Sequence, residues 1–183
     1  AALADVFVMD AFATSHRAHA STTGVITFSD DACAGFLLDE ELTALSKVKE
    51  NAKSSIAVLG GAKISTKLSL IDSLSKTVDK VILGGGIANT CLAAKGYEVG
   101  KSLIEDSMLE EAKELVANPK IIIPESVIVS ISADEPGRIT SANSIQENEA
   151  IFDIAPACFV DLEPIIMNAG TILWNGPLGF FEK

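Results

Sequence analysis

Twice between residues 54 and 96 a short apolar run stops at glycine and hands over to a helical pattern, a succession few folds accept. Ile56-Ala-Val-Leu59 is followed by Gly60-Gly61, and Val81-Ile-Leu83 by Gly84-Gly-Gly86. Short β-branched runs bounded by glycine read as buried strands. Behind the first come Leu68, Leu70, Ile71 and Leu74 at helical spacing. Behind the second, a short helical stretch ends at Gly96. Strand and helix in alternation predict an α/β fold, a doubly wound, Rossmann-like parallel sheet. Ligands of such sheets bind beyond the C-terminal strand ends. That puts Gly61, Gly85, Gly86 and the turn at 175–179 along one edge, where a nucleotide would sit.

The same alternation runs on. A helix is expected over 105–118, closed by Pro119, then strands at 120–123 and 127–131 and a polar excursion at 133–148. A strand at 150–153, a helix over 155–169 and a strand from 170 into a rigid Gly/Pro turn complete it. Upstream, residues 1–5 look like a helix end, Val6-Phe-Val-Met9 is a strand, and 24–35 reads as a loop. Leu38, Leu42, Leu45 and Val48 predict a helix over 37–48, with Asp39, Glu40 and Glu41 suiting its N-terminal dipole.

Lys63 and Lys67 follow the first glycine pair, and the spacing places both on one face of a helix expected over 64–75. Like charges at i,i+4 repel, and cations near a helix N-terminus oppose its dipole. In a chain of net charge −11 such a pair points to an anion, helped by the N–H groups of the glycine turn. The plain alternative is two solvated lysines flanking a turn. Asp10-Ala-Phe-Ala-Thr-Ser-His-Arg-Ala-His19 also follows a strand. Arg17 offers a planar donor fork suited to carboxylate or phosphate, unless this is only a surface loop. His16 and His19 lack the context of a zinc site, and no metal-binding residues are assigned.

The acidic balance argues against nucleic acid or anionic membranes as partners. No apolar stretch approaches a membrane span, and no secretory signal is visible. Cys33, Cys91 and Cys158 are odd in number and outside CxxC spacing, as expected of reduced, cytoplasmic thiols. The dinucleotide fingerprint G-x-G-x-x-G fails because its third glycine position is Asn89, although Glu105 lies at about the right distance. A P-loop is absent.

Four segments together resemble phosphoglycerate kinase. They are Asp10-Ala-Phe-x-Thr-x-His-Arg-Ala-His19, Leu59-Gly-Gly-Ala-Lys63 with Lys67, Gly84-Gly-Gly-x-Ala88, and Trp174-Asn-Gly-Pro-x-Gly-x-Phe-Glu182. The resemblance implies phosphoryl transfer between 1,3-bisphosphoglycerate and ADP, giving 3-phosphoglycerate and ATP, with Mg²⁺. By similarity Arg17 would hold the phosphoglycerate, with His16 and His19 shaping its loop. Lys63 would contact the nucleotide phosphates and Lys67 the transferring phosphoryl group. Gly61 and Ala62 would lie beside the phosphates. Gly85, Gly86 and Leu103 would line the adenosine pocket, Asn175, Pro177 and Gly179 would continue it, and Glu182 would reach the ribose. The implied domains are 1–35, the tail of a phosphoglycerate-binding domain; 36–53, an interdomain helix and linker acting as hinge; and 54–183, a nucleotide-binding domain.

The resemblance also implies an internal fragment, largely inactive alone, of a monomeric glycolytic enzyme of the cytoplasm. An arginine-rich region is expected before Ala1, and a Gly-Gly-Asp-Thr-like metal–nucleotide segment after Lys183. Asp153-Ile-Ala-Pro-Ala-Cys158 departs from the family's Asp-Ile-Gly-Pro-Lys-Thr-like segment, which bears on nucleotide affinity or on a contact near the phosphates. Two other readings are a non-catalytic nucleotide-binding or interaction domain of the same fold, and a nicotinamide-dependent dehydrogenase, which Asn89 disfavours.

Overall fold

The computed structural model describes residues 4–50 and 54–182, with backbone only for 48–50. It divides into two compact units, Ala1–Glu50 and Asn51–Lys183.

In the first unit, β1 (Val6–Met9) is followed by the 3₁₀ turn Phe12–Thr14 and a wide helical turn, Ala20–Gly24, that runs into the short α1 (Val25–Phe28). Next, β2 (Asp31–Ala34) pairs in parallel with β1, Val6 opposite Asp31 and Met9 opposite Ala34. The expected loop at 24–35 is therefore half helix and half strand. Asp-Ala-Cys-Ala has no β-branched residue, so pairing with β1, and not its own pattern, makes it a strand. The unit ends with α2 (Phe36–Glu50). Its Leu38 amide donates to Asp10 Oδ1 at 2.9 Å, which satisfies one of the free N–H groups of the helix start. Leu38 is buried, whereas Leu42 and Leu45 are 50% and 39% exposed, so the apolar stripe is covered only at its beginning. Of the helix end expected at 1–5, residues 1–3 lie outside the described residues, and Ala4 and Asp5 are not helical. Residues 51–53 of the expected linker, and the side chain of Val48, also lie outside them.

The second unit is built on β3 (Ser55–Leu59), buried along its whole length. Then come α3 (Leu68–Thr77), β4 (Lys80–Leu83), α4 (Gly85–Ala94), α5 (Leu109–Ala117) after a 3₁₀ turn, and the two-residue β5 (Ile121–Ile122). After these follow β6 (Ser126–Ser130), β7 (Arg138–Ser141), β8 (Ala150–Ile154), α6 (Phe159–Met167) and β9 (Thr171–Asn175). The parallel sheet has the order β5-β4-β3-β9. Leu59 lies opposite both Leu83 and Asn175, so these three strands finish level and release their glycine turns onto one edge. Ile56, Val58 and Ile82 pack on Cys158 and Leu162 from the α6 side. Ala57, Leu59, Val81 and Leu83 alternate to the other face and are equally buried.

Two expectations change here. The 133–148 excursion contains β7, which with β6 and β8 forms a separate three-stranded antiparallel sheet, order β7-β6-β8. Arg-Ile-Thr-Ser carries too little apolar character to announce a strand. It is held by β6 and by Arg138, whose Nε and Nη2 both donate to the buried carboxylate of Glu149 at 2.6 Å. Leu92 of α4 joins Val127, Val129, Ala142 and Ile145 in that sheet's core. Buried throughout residues 86–92, α4 is apolar nearly all round, as a helix between two layers must be.

The second change concerns the lysines. Instead of entering a helix at residue 64, the chain makes one turn over residues 64–67, closed by Lys67 N–H to Ile64 O at 2.8 Å, and α3 starts at Leu68. Ile64 is fully buried and pulls the backbone inward before the helix can begin. Lys63 and Lys67 thus do not share a helical face; the fold avoids the unfavourable charge placement by starting the helix after them.

Candidate active site

Close backbone approach builds the floor of the site. A Cβ on Gly60 would lie 1.8 Å from Pro177 O, and one on Gly86 would lie 2.3 Å from Ala62 O. Only glycine allows these turns to touch. Their amides are largely committed to one another. Gly60 N–H donates to Asn175 O at 3.0 Å, Gly84 N–H to Leu59 O at 2.9 Å, Gly85 N–H to Leu178 O at 2.7 Å and Ile87 N–H to Gly61 O at 3.1 Å. The first of these corrects the expectation that both glycine amides of the 60–61 turn stand ready for an anion.

Beside this laced edge lies a cavity of about 450 Å³. Gly61 and Ala62 border it from the first turn, and Gly85 and Gly86 from the second. Leu103 enters from the loop after α4, while Pro177, Gly179 and Glu182 close it from beyond β9. Its opposite wall is β8, with Phe152 and Asp153. The strand expected at 150–153 does not announce itself as this wall, because Arg-Ile-Thr-Ser at 138–141 gives no sign of the antiparallel sheet that carries β8; sequence reasoning also missed Asn89, Lys101 and Phe180 as lining. Asp153 opens the departing 153–158 segment. Beyond it the chain leaves the cavity for α6, and Cys158 joins the core. An apolar cleft with a few polar groups is the usual form of a small-molecule site.

Lys67, Lys63 and Asn175 are not on the cavity wall. Lys67 lies against the glycine edge: its Nζ donates to Gly60 O at 2.7 Å, Asn175 O at 3.2 Å and Asn175 Oδ1 at 2.5 Å. A Cβ on Gly61 would come within 3.5 Å of that nitrogen. Partial burial lowers the Lys67 pKa from its ordinary value. The ammonium is therefore fixed across the ends of β3 and β9, with all three donors engaged. Lys63 is exposed, and its charge reaches Glu105. The Glu105 carboxyl is held below the usual range, first by its hydrogen bonds from Ser65 and, to a smaller extent, by Lys63. Burial pushes the Cys91 thiol of α4 up to about 12, which leaves it a packing group and not a nucleophile.

In the first unit Arg17 and both histidines are exposed on the loop after β1. Thr22 organises that loop: its hydroxyl donates to Arg17 O and accepts from His19 N–H at 3.1 Å. Nothing but its position marked Thr22 in the sequence. Among the described residues no three His, Cys, Asp or Glu side chains converge as a metal shell.

A sequence model described as "Phosphoglycerate kinase" matches residues 1–183. The chain is similar to phosphoglycerate kinase from Coxiella burnetii, at 46% identity and a TM-score of 0.90, over 99% of this chain and 49% of that one. It is also similar to phosphoglycerate kinase from Pyrococcus horikoshii OT3, at 29% identity and a TM-score of 0.84, over 99% and 48% respectively. The chain spans about half the length of these solved relatives. With a full-length family match and a mixed α/β architecture shared with these enzymes, the chain belongs to the phosphoglycerate kinase family.

Proposed function

We propose that the protein containing this chain transfers a phosphoryl group between 1,3-bisphosphoglycerate and ADP, forming 3-phosphoglycerate and ATP. The observation carrying this reading is the half-buried Lys67 ammonium fixed at the glycine edge, next to an apolar cavity large enough for a nucleoside. Phosphoryl transfer asks for placement and charge neutralisation more than for covalent help from the protein. In this reading Gly85, Gly86 and Leu103 receive the adenosine, Pro177 and Gly179 continue its wall, and Glu182 reaches the ribose. Lys63 meets the nucleotide phosphates. Lys67 exchanges part of its contact with Asn175 for the transferring group, whose developing charge it stabilises. Arg17 holds the phosphoglycerate carboxylate or phosphate. Magnesium would come with the nucleotide, held at the Gly-Gly-Asp-Thr-like segment that the family resemblance implies after Lys183.

A coupled assay on the full-length protein, with ATP and 3-phosphoglycerate, tests the reading, and the 183-residue chain alone should turn over almost nothing. Tight calorimetric binding of NAD with none of ATP would overturn it. A second reading, a nucleotide-binding or interaction domain without chemistry, gains support from one observation. All three Lys67 donors already meet protein acceptors, as they would in a purely structural strut. Full-length protein that binds ATP but has no turnover would favour that second reading.

A further inference from the structure

Glu105 stands where the α5 segment begins, yet its side chain does not cap the 3₁₀ turn Asp106–Met108 that follows it. An acid at a helix start ordinarily turns back onto the free amides there. This one reaches 40 residues away in sequence: its carboxylate accepts from Ser65 N–H at 3.0 Å and from Ser65 Oγ–H at 2.5 Å. Ser65 is midway between Lys63 and Lys67, in the turn whose other pin is the buried Ile64.

The backbone of Glu105 is held just as firmly. Its N–H donates to Thr90 Oγ1 at 3.1 Å, and that buried hydroxyl donates to Gly86 O at 2.8 Å. One residue earlier on α4, Asn89 Nδ2 donates to Leu103 O at 3.3 Å. Adjacent side chains of α4 thus fix Leu103, which lines the cavity, and Glu105, which grips the lysine turn. The chain of bonds runs unbroken from Gly86 to Ser65.

We infer that Glu105 is a positioning residue of the nucleotide site. Its two carboxylate oxygens set the lysine turn at a fixed offset from the cavity floor, so that the cations and the adenosine wall are spaced for one ligand. This rests on the nucleotide reading proposed above. A carboxylate suits the task because the turn presents two donors in line, and Lys63 nearby offsets the charge.

The test uses full-length protein with Glu105→Ala and Glu105→Gln. Misplacing charged groups by about 1 Å can cost on the order of a hundredfold in rate, so Glu105→Ala should lower kcat/KM for ATP by about that factor. KM for 3-phosphoglycerate should change by less than about twofold, since Arg17 belongs to the other unit. Glu105→Gln keeps one acceptor oxygen and should fall between wild type and Glu105→Ala. Amide exchange at Ser65 should quicken in both variants while residues 56–59 stay protected. An unchanged kcat/KM for ATP would overturn the inference, as would an equal rise in KM for both substrates with a lowered melting temperature. If wild type itself lacks turnover, the kinase reading fails. Ser65 exchange and ATP affinity then decide the anchor: no change in either variant refutes it, and faster exchange with weaker binding upholds it.

Discussion

The two connections that leave the middle of the parallel sheet are made in opposite ways. Between β3 and α3 the chain runs through residues 60–67; between β4 and α4 only Gly84 intervenes. The long connection carries Lys63 and Lys67, and its links to the rest of the unit include side-chain bonds, Lys67 to Gly60 O and Asn175, and Ser65 to Glu105. The short one carries no charge and is fixed by backbone packed on backbone, Gly85 N–H to Leu178 O and Gly86 against Ala62 O. Charge is thus offered where side chains can re-pair with a ligand, and shape where nothing can move. Substitutions on the first connection should change chemistry ahead of stability, and those on the second should do the reverse.

The largest expected effect is at Lys67. In the full-length enzyme Lys67→Ala should lower turnover by about 10²–10³-fold, the usual loss when one fixed charge or donor is taken from a transition state. Its unfolding free energy should fall by only about 1 kcal/mol, since the hydrogen bonds lost are partly solvent-exposed. The coupled assay and a urea melt measure the two. A stability loss large enough to account for the activity loss would make Lys67 a strut and erase the contrast between the connections.

Gly86→Ala comes next and should invert the pattern. The new Cβ meets a backbone carbonyl that has no rotamer to escape into. Overpacking of this kind costs about 1–3 kcal/mol. The denaturant midpoint should drop at constant slope, and ATP affinity should fall with it as the cavity wall shifts. A smaller effect is expected at Asn175→Ala, which removes one acceptor of Lys67 and leaves Gly60 O in place. There kcat should fall by about tenfold, the worth of one charge-assisted hydrogen bond, with the melting temperature nearly unmoved.

The sequence announces the short connection better than the long one. A β-branched run stopped by glycine has one reading, so β3, β4 and their turns are legible, and the level strand ends follow from the parallel pattern. The start of α3 is not legible, because Ile64 has the right spacing for a helical face and is in fact pinned in a turn by its own burial. Nor are β2 and β7, whose small or polar residues become strands only through the neighbour they pair with. With β7 hidden the antiparallel sheet is hidden too, and with it the β8 wall of the cavity. Glu105 shows how spacing can mislead. Its distance from the glycines matches a ribose-binding acid of a dinucleotide fold, while its carboxylate is occupied with Ser65. Such long-range hydrogen bonds leave no periodic trace in a sequence.

The smallest effect separates the connections by pH. Hydrogen bonds from Ser65, with help from the Lys63 charge, hold the Glu105 carboxyl below its usual range. A carboxyl depressed in the folded state contributes stability that is fully present above the ordinary glutamate value and is lost as pH falls through the depressed one. Acid should therefore loosen the long connection while leaving the short one intact, since the Gly85 N–H bond to Leu178 O involves no titrating group. In an amide nitrogen titration of the full-length protein, the Ser65 resonance should move with a midpoint below the ordinary glutamate range, and Gly85 should hold still. Glu105→Gln should flatten the Ser65 curve. A Ser65 resonance that titrates unchanged in that variant would mean another group sets the turn, and the distinction between a side-chain-held and a backbone-held edge would have to be redrawn.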